Sequence, residues 1–358
     1  MTWTHSVVSF KLIMISRTNF IWGISAGVAI IILAIISVFA IWSFLLNGTT
    51  FFGWWKNEAV IINSSSIPSP SVSPEVQDVK LLFFGDLMFD RNIRQVAAKN
   101  GNDFIFAQIA PWLAENDLVV ANLEGPITEN KSVSLGSEPG STNNFIFTFD
   151  SSLAGALFNN NIRLVNLGNN HILNFGQAGL ESTKQYLNSA GVGYFGEPAG
   201  PSSISPNIKS VVKNIKGVKI AFINYNQFIG NASTEQITTI EEIKNIKAQA
   251  DIVILYAHWG IEYDSAPNSA IKNLAHSFVE AGADLVIGSH PHVVQPSEEY
   301  LGKKIYYSLG NFVFDQYFSQ AVKQGLGVIV KINSATKRLE FEEKKLLLQA
   351  NGQTSLSE

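Results

Sequence analysis

The chain has 358 residues, no cysteine, 46% hydrophobic and 15% charged residues, and a formal net charge of −4. The absence of cysteine excludes a disulfide scaffold, a thiolate zinc site, an iron–sulfur cluster and a cysteine nucleophile. No run of Lys and Arg offers the basic face that a nucleic-acid partner requires, while a charged fraction well below the ~25% of ordinary soluble domains points to a segment in lipid.

Residues 1–19 form a short tail carrying Lys11 and Arg17 and no acidic residue. From Phe20 to Leu46 there are 27 residues without a charge. As a helix this stretch would span roughly 40 Å, more than the ~30 Å hydrocarbon core of a bilayer. A cleaved signal peptide has an apolar region of only about 7–15 residues, so the stretch reads as an uncleaved transmembrane signal anchor; a processed signal is the rival reading. The basic flank before the span predicts a cytoplasmic N-terminus. The protein is then expected in the cell membrane, single-pass, with its main domain extracytoplasmic. Residues 47–78 include Asn63 to Pro74, with six serines and three prolines. Such a stretch buries too little apolar surface to offset its ordering entropy and reads as a flexible linker. The folded domain is expected over residues 79–350.

Within that domain short apolar runs alternate with helical patterns, which predicts an α/β fold whose sheet is buried on both faces. The expected strands are Val79 to Phe84, Leu118 to Ala121, Arg163 to Asn166, Lys219 to Asn224, Ile252 to Tyr256, Leu285 to Ile287 and Lys304 to Tyr307. Helices are expected over Gln177 to Ala190, Thr239 to Ala250 and Ser269 to Ala281. A hairpin is expected from Gly327 to Ile332 and Arg338 to Glu342. The strand runs end in Gly85-Asp86, Asn122-Leu123-Glu124, Gly168-Asn169-Asn170-His171, His258-Trp259-Gly260 and Gly288-Ser289-His290-Pro291-His292. Ligands of open α/β sheets lie beyond the carboxyl ends of the strands, so five loops of one sheet edge are expected to converge.

Each polar residue has an ordinary reading when taken singly. Asp86 suits a helix N-cap, Glu124 a solvated turn, and Asn169-Asn170 left-handed turn positions. Four of the six histidines at strand ends, beside an Asp, a Glu and an Asn, make coincidence a poor account. Imidazole, carboxylate and carboxamide together suit Zn²⁺, Mn²⁺ or Fe²⁺, whereas Ca²⁺ and Mg²⁺ sites are built of oxygen. His290 and His292 cannot point the same way along a regular strand. A kink at Pro291 would let them serve two neighbouring ions, a pair able to clamp a phosphoryl oxygen. Other constellations fail: Gly191 to Gly196 matches the dinucleotide pattern but follows a helix instead of opening one. No nucleophile elbow or Walker loop is present. His276 and His5 read as structural.

These loops resemble the capsule-synthesis CapA family, poly-γ-glutamate capsule proteins related to calcineurin-like metallophosphoesterases. The matching strings are Gly85 to Met88 with Arg91, Asn122 to Glu124, Asn169 to His171 with Gly176, His258 to Tyr263, Gly288 to His292 with Gln295, and Ser308 to Asp315. The resemblance implies an α/β, metallophosphatase-like sandwich of two mixed β-sheets flanked by helices, which the one N-terminal transmembrane helix read above would precede. It implies one or two divalent metal ions held by Asp86, Glu124 (the bridge), Asn170, His258, His290 and His292. It also implies His171 as the residue that protonates a leaving group, and Arg91 and Asn122 at the substrate. Two departures stand out. Met88 occupies the position of an imidazole ligand in the phosphoesterases, and Asn174 stands where the family commonly has Asp.

The expected function is therefore a role in capsule or surface-polymer synthesis or export, with two competing readings. One is a metal-dependent, phosphoesterase-like hydrolase. The other is a non-catalytic partner of the anionic surface polymer or of its synthase/exporter complex.

Overall fold

The structure, a computed structural model, describes residues 77–198 and 209–357. The expected tail, membrane span and nearly all of the linker lie outside the described residues. Among the described residues no helix is long and apolar enough to cross a membrane.

In chain order the strands are β1 (Val79–Leu87), β2 (Leu118–Leu123), β3 (Ile162–Asn166), β4 (Gly193–Phe195), β5 (Ser210–Ile215), β6 (Val218–Asn226) and β7 (Ile252–His258), then β8 (Leu285–Ser289), β9 (Ser297–Tyr300), β10 (Lys303–Tyr306), β11 (Asn311–Val313), β12 (Gln324–Ile332), β13 (Leu339–Leu348) and β14 (Thr354–Leu356). They form two mixed sheets. The first runs β14-β13-β12-β1-β2-β3-β4, with β11 also paired to β1. In it β1 to β4 are parallel, and β12, β13 and β14 are antiparallel. The second runs β5-β6-β7-β8-β10-β9, a parallel centre with antiparallel edges.

The pleat explains how the sheets stack. Along β1, Leu81 and Phe83 face one core while Leu82 and Phe84 face another, as a side-chain period of two dictates. Between the sheets, Phe83, Val120, Leu164 and Val328 meet Phe222, Ile254, Tyr256 and Ile287. The outer face of the first sheet is covered by helices that contribute Ile93, Leu157, Leu180 and Leu187. Helices Ala232–Lys247 and Ser269–Ala281 cover the second sheet through Ile243, Ile246, Ala275 and Phe278. Two mixed sheets flanked by helices are therefore present, as the family resemblance implies.

The expectation of a single sheet edge is corrected. Asp86, Glu124 and Asn169 to His171 lie at or just beyond the ends of β1, β2 and β3 of the first sheet, whereas His258 and Ser289 to His292 lie at or just beyond the ends of β7 and β8 of the second. Two edges meet at one end of the sandwich. There the Tyr256 hydroxyl of β7 donates across the gap to the Phe84 carbonyl of β1. Two further differences concern extent. The helix expected from Thr239 begins at Ala232, because the Asn231 side chain accepts from the backbone N–H groups of Ser233 and Thr234 and so starts it nearly two turns earlier. The folded chain also continues past residue 350 into β14, which pairs with β13.

Close approach of backbones at that end demands glycine. A Cβ at Gly85 would lie 1.8 Å from the Gly310 carbonyl oxygen, and one at Gly288 2.0 Å from that of Tyr307. Neither obstacle is a side chain that can swing aside. Gly85→Ala is therefore expected to force β1 from the Gly310 turn, at a cost typical of overpacking, about 1–3 kcal/mol. Thermal denaturation and a divalent-metal titration should report a lower melting temperature and weaker metal affinity together, since the neighbouring Asp86 moves with the strand. Wild-type values of both would refute the contact.

Candidate metal centre

Asp86 closes β1 and is fully buried. It is not the helix cap that its loop position allows; Asp90 caps the helix Arg91–Asn100 instead. Its Oδ1 accepts from Asn122 Nδ2 at 2.8 Å, and its Oδ2 accepts from the backbone N–H of His290 at 3.2 Å and lies 3.3 Å from His292 Nδ1. Burial alone would raise its pKa, but the His292 hydrogen bond and charge, with that of Asn122, hold it down to about 2.

Glu124 lies just beyond β2, is equally buried, and has neither of its carboxylate oxygens hydrogen-bonded. Desolvation, followed by the negative charge of Asp86, pushes its carboxyl well above the usual range. Two groups of ligating atoms meet on it: Glu124 with His258 and His290, and Glu124 with Asp86 and His292. Within each group the atoms lie within 4.8 Å of one another. The loop that carries the two histidines is kinked on both sides of Pro291, with φ of 97° at His290 and 57° at His292. These left-handed values, rare for residues with a Cβ, send the two rings to different groups.

Around the triads the supporting contacts are specific. His258 Nδ1 lies 2.9 Å from Ser289 Oγ and 3.3 Å from Asn122 Nδ2, and its Nε2 lies 2.9 Å from Asn170 Oδ1. Asn170 thus stands with the His258 group. Asn122 Oδ1 accepts from Asn166 and Asn169 at 2.9 and 3.1 Å. The side chain expected at the substrate is therefore wholly enclosed, bonded to Asp86 and beside His258. Arg91 is also committed. Its guanidinium engages Asp315 and Asn144 and lies 5.1 and 5.5 Å from the centroids of the Phe147 and Phe314 rings.

His171 follows Asn170, with Nε2 3.9 Å from Glu124 Oε1 and its ring 4.4 Å from that of Phe147. Its Nδ1 lies 3.2 Å from Asn174 Oδ1, which also accepts from the backbone N–H of Phe147 at 2.8 Å. A carboxamide oxygen can only accept, so Nδ1 carries the hydrogen and Nε2 presents a lone pair. Burial lowers the His171 pKa to about 4 and that of His290 to about 3, and takes His258 well below its ordinary value. All three are neutral at pH 7, the form a metal ligand requires.

Sequence reasoning missed the supports supplied by the Ser308 to Asp315 string. Asn311 Oδ1 lies 3.0 Å from His292 Nδ1, the Phe314 ring packs 4.8 Å from that of His292, and Asp315 holds Arg91. The string was visible as a motif, but only the pairing of β11 with β1, Asp86 opposite Asn311, brings it to the site.

The donor set suits a divalent cation. Both Glu124 oxygens and His290 Nδ1 are buried without partners, an arrangement otherwise costly, and the oxygens and imidazoles fit Zn²⁺, Mn²⁺ or Fe²⁺. Met88 adds nothing to the set: it is fully buried in the outer core, and its sulfur accepts from the Asp90 N–H at 3.0 Å.

The electrostatics fix a pH-dependent outcome. Glu124 binds its proton more tightly folded than unfolded, so its contribution to stability is complete below about pH 4.5 and is lost as pH rises through its native pKa. His171, His258 and His290 contribute the opposite way: their stability is present above about pH 6.5 and lost as pH falls through their native values. In chelator at pH 7.5, Glu124→Gln should therefore be more stable than wild type by about 1–3 kcal/mol, a gap that closes towards pH 4.5. Saturating Mn²⁺ or Zn²⁺ should raise the melting temperature of wild type and leave the variant unmoved. Equal stability of the two chelated proteins at pH 7.5 would mean that Glu124 is not desolvated.

The profile described as "Bacterial capsule synthesis protein PGA_cap" matches residues 80–316. The PGA biosynthesis protein CapA of Bacillus subtilis (strain 168) is 33% identical over 266 residues, covering 69% of this chain and 67% of that protein. The capsule biosynthesis protein CapA of Bacillus anthracis is 28% identical over 285 residues, 75% of this chain and 67% of its own. Among solved structures, a hypothetical protein from Thermus thermophilus superposes with a TM-score of 0.46 at 15% identity, over 75% of this chain and 98% of its own. The match of the profile to most of the folded region, including every residue of the site from Asp86 to Asp315, settles the assignment: this chain belongs to the bacterial capsule synthesis protein PGA_cap family.

Proposed function

We propose that this protein is a metal-dependent hydrolase of capsule or surface-polymer synthesis, of the poly-γ-glutamate type; its Bacillus subtilis relative is named for PGA biosynthesis and its Bacillus anthracis relative for capsule biosynthesis. The observation behind this reading is the shared carboxylate: two triads meet on Glu124, whose oxygens have no protein partner. Bound divalent ions would supply positive charge for a phosphoryl or carbonyl oxygen and for an attacking water. Asp86, Glu124 and His292 would hold one ion; Glu124, Asn170, His258 and His290 would hold the other.

The remaining steps belong to the chain. His171 rests in its neutral form with Nε2 3.9 Å from Glu124 Oε1, so a proton that it gives to a leaving group must first be taken up at Nε2. Asn174 keeps the ring in that tautomer by accepting from Nδ1. Asn122 holds Asp86 and His258 in register. His171→Ala should leave metal content and melting temperature near wild type while lowering turnover on generic phosphodiesters by about 10²–10⁴-fold.

The second reading is a non-catalytic partner of the anionic polymer or its synthase/exporter complex, and Met88 favours it, since the Asp86 side lacks one imidazole. Full polymer production by a stable, metal-loaded His171→Ala protein would promote that reading to first place.

We also propose that the protein is anchored in the cell membrane by residues 20–46, with the domain extracytoplasmic. Support comes from the uncharged stretch and its Lys11/Arg17 flank. Protease added to spheroplasts should digest the domain and spare the N-terminal tail; protection of the whole chain would reverse the orientation.

A further inference from the structure

Among the described residues the exposed aromatic side chains are Phe145, Phe228, Tyr263 and Phe318, and the last three lie in connections that border the metal triads. Phe228, 38% exposed, sets its ring 4.1 Å from that of His290 and 5.7 Å from that of His258. On the other side Tyr263, 42% exposed, lies 6.1 Å from His292, and Phe318, 68% exposed, stands edge-on to Tyr263 at 5.3 Å. Ile261, 55% exposed, lies in the same turn as Tyr263, whose N–H donates to the Pro291 carbonyl. This rim is built rather than incidental. Tyr263 is held at a φ of 67°, and its hydroxyl accepts from Gln316, whose Oε1 accepts from Asn311, the partner of His292.

Charge around the rim is of the wrong kind for a purely polyanionic ligand. Arg91, whose field reaches Glu124, is already engaged by Asp315, and Glu262 adds negative charge beside Tyr263 and Glu124. An oxyanion at the metals would still leave Phe228, Ile261, Tyr263 and Phe318 in contact with whatever it is attached to. Exposed apolar groups gathered at one place mark a binding surface.

We propose that the ligand of this site is an oxyanion carried on a hydrocarbon chain, the chemistry of a lipid-linked precursor, with the head at the metals and the chain over the Phe228–Tyr263–Phe318 rim. The inference rests on the metal reading above and adds the substrate class. A chain of this kind gains about two- to fourfold in affinity per methylene that leaves water.

The test uses the full-length, Mn²⁺-loaded protein in zwitterionic nanodiscs, titrated calorimetrically with inorganic phosphate, butyl phosphate and octyl phosphate, with empty nanodiscs subtracted. Octyl phosphate should bind about 16- to 250-fold more tightly than butyl phosphate, full burial of the four extra methylenes giving the upper figure. The double variant Phe228→Ser/Phe318→Ser should lose most of that ratio, with its inorganic phosphate affinity as the internal reference and its melting temperature as the check on folding. Phosphate binding with no dependence on chain length overturns the inference and leaves the metal reading standing. A chain-length preference that survives the double variant overturns it as well, since the tail then lies elsewhere. Failure of all three phosphates to bind overturns both readings.

Discussion

A carboxylate taken out of water with no donor in reach carries a penalty of several kcal/mol, and Glu124 is such a group at the meeting point of both sheets. Its neighbour Asp86 is just as buried yet satisfied on both oxygens, so burial alone does not distinguish them. Hydrogen bonds do. Asn122, Asn166 and Asn169 donate to Asp86, to one another and to nearby backbone, and all stop short of Glu124. The two carboxyls are thus driven in opposite directions within one cluster, a pattern that gathers at functional sites.

What keeps the cluster from relaxing is that its members come from two separate sheets. The inter-sheet core, the Tyr256 to Phe84 hydrogen bond and the Gly85 and Gly288 close approaches fix the spacing between edges. The left-handed backbone at His290 and His292 stores strain of order 1–3 kcal/mol per residue, which persists only where surrounding structure over-determines it. Here it is over-determined by the Asp86 contact at His290 and the Asn311 contact at His292. A bound ion would cross-link the sheets and relieve the unpaired atoms together.

Much of the site was legible in the chain because its residues sit where apolar runs stop. Strand ends at Asp86, His258 and Ser289 follow from the runs before them, and a kink at Pro291 followed from the spacing of its flanking histidines. Assigning those runs to two sheets was beyond periodicity, since buried strands of either sheet read as the same unbroken apolar stretch. The short strands β4, β9, β11 and β14 escaped notice for a related reason: three or four residues carry no period. The placement of Asn122 was hidden as well, because a strand-end asparagine reads alike whether it faces a ligand or supports a carboxylate. Only the register of β1 on β2, which sets Asp86 opposite Asn122, decides it.

The ligands are spread along the chain from Asp86 to His292, and each triad waits on the same late loop. One closes with His290 and the other with His292, on either side of a single proline. A chain emerging from its N-terminus therefore holds no complete triad until roughly the last third of the domain has begun to appear, and then acquires both almost at once. Neither position can be loaded early on a nascent chain. A metal ion held by either triad would therefore be bound in full only once that late loop has taken its place.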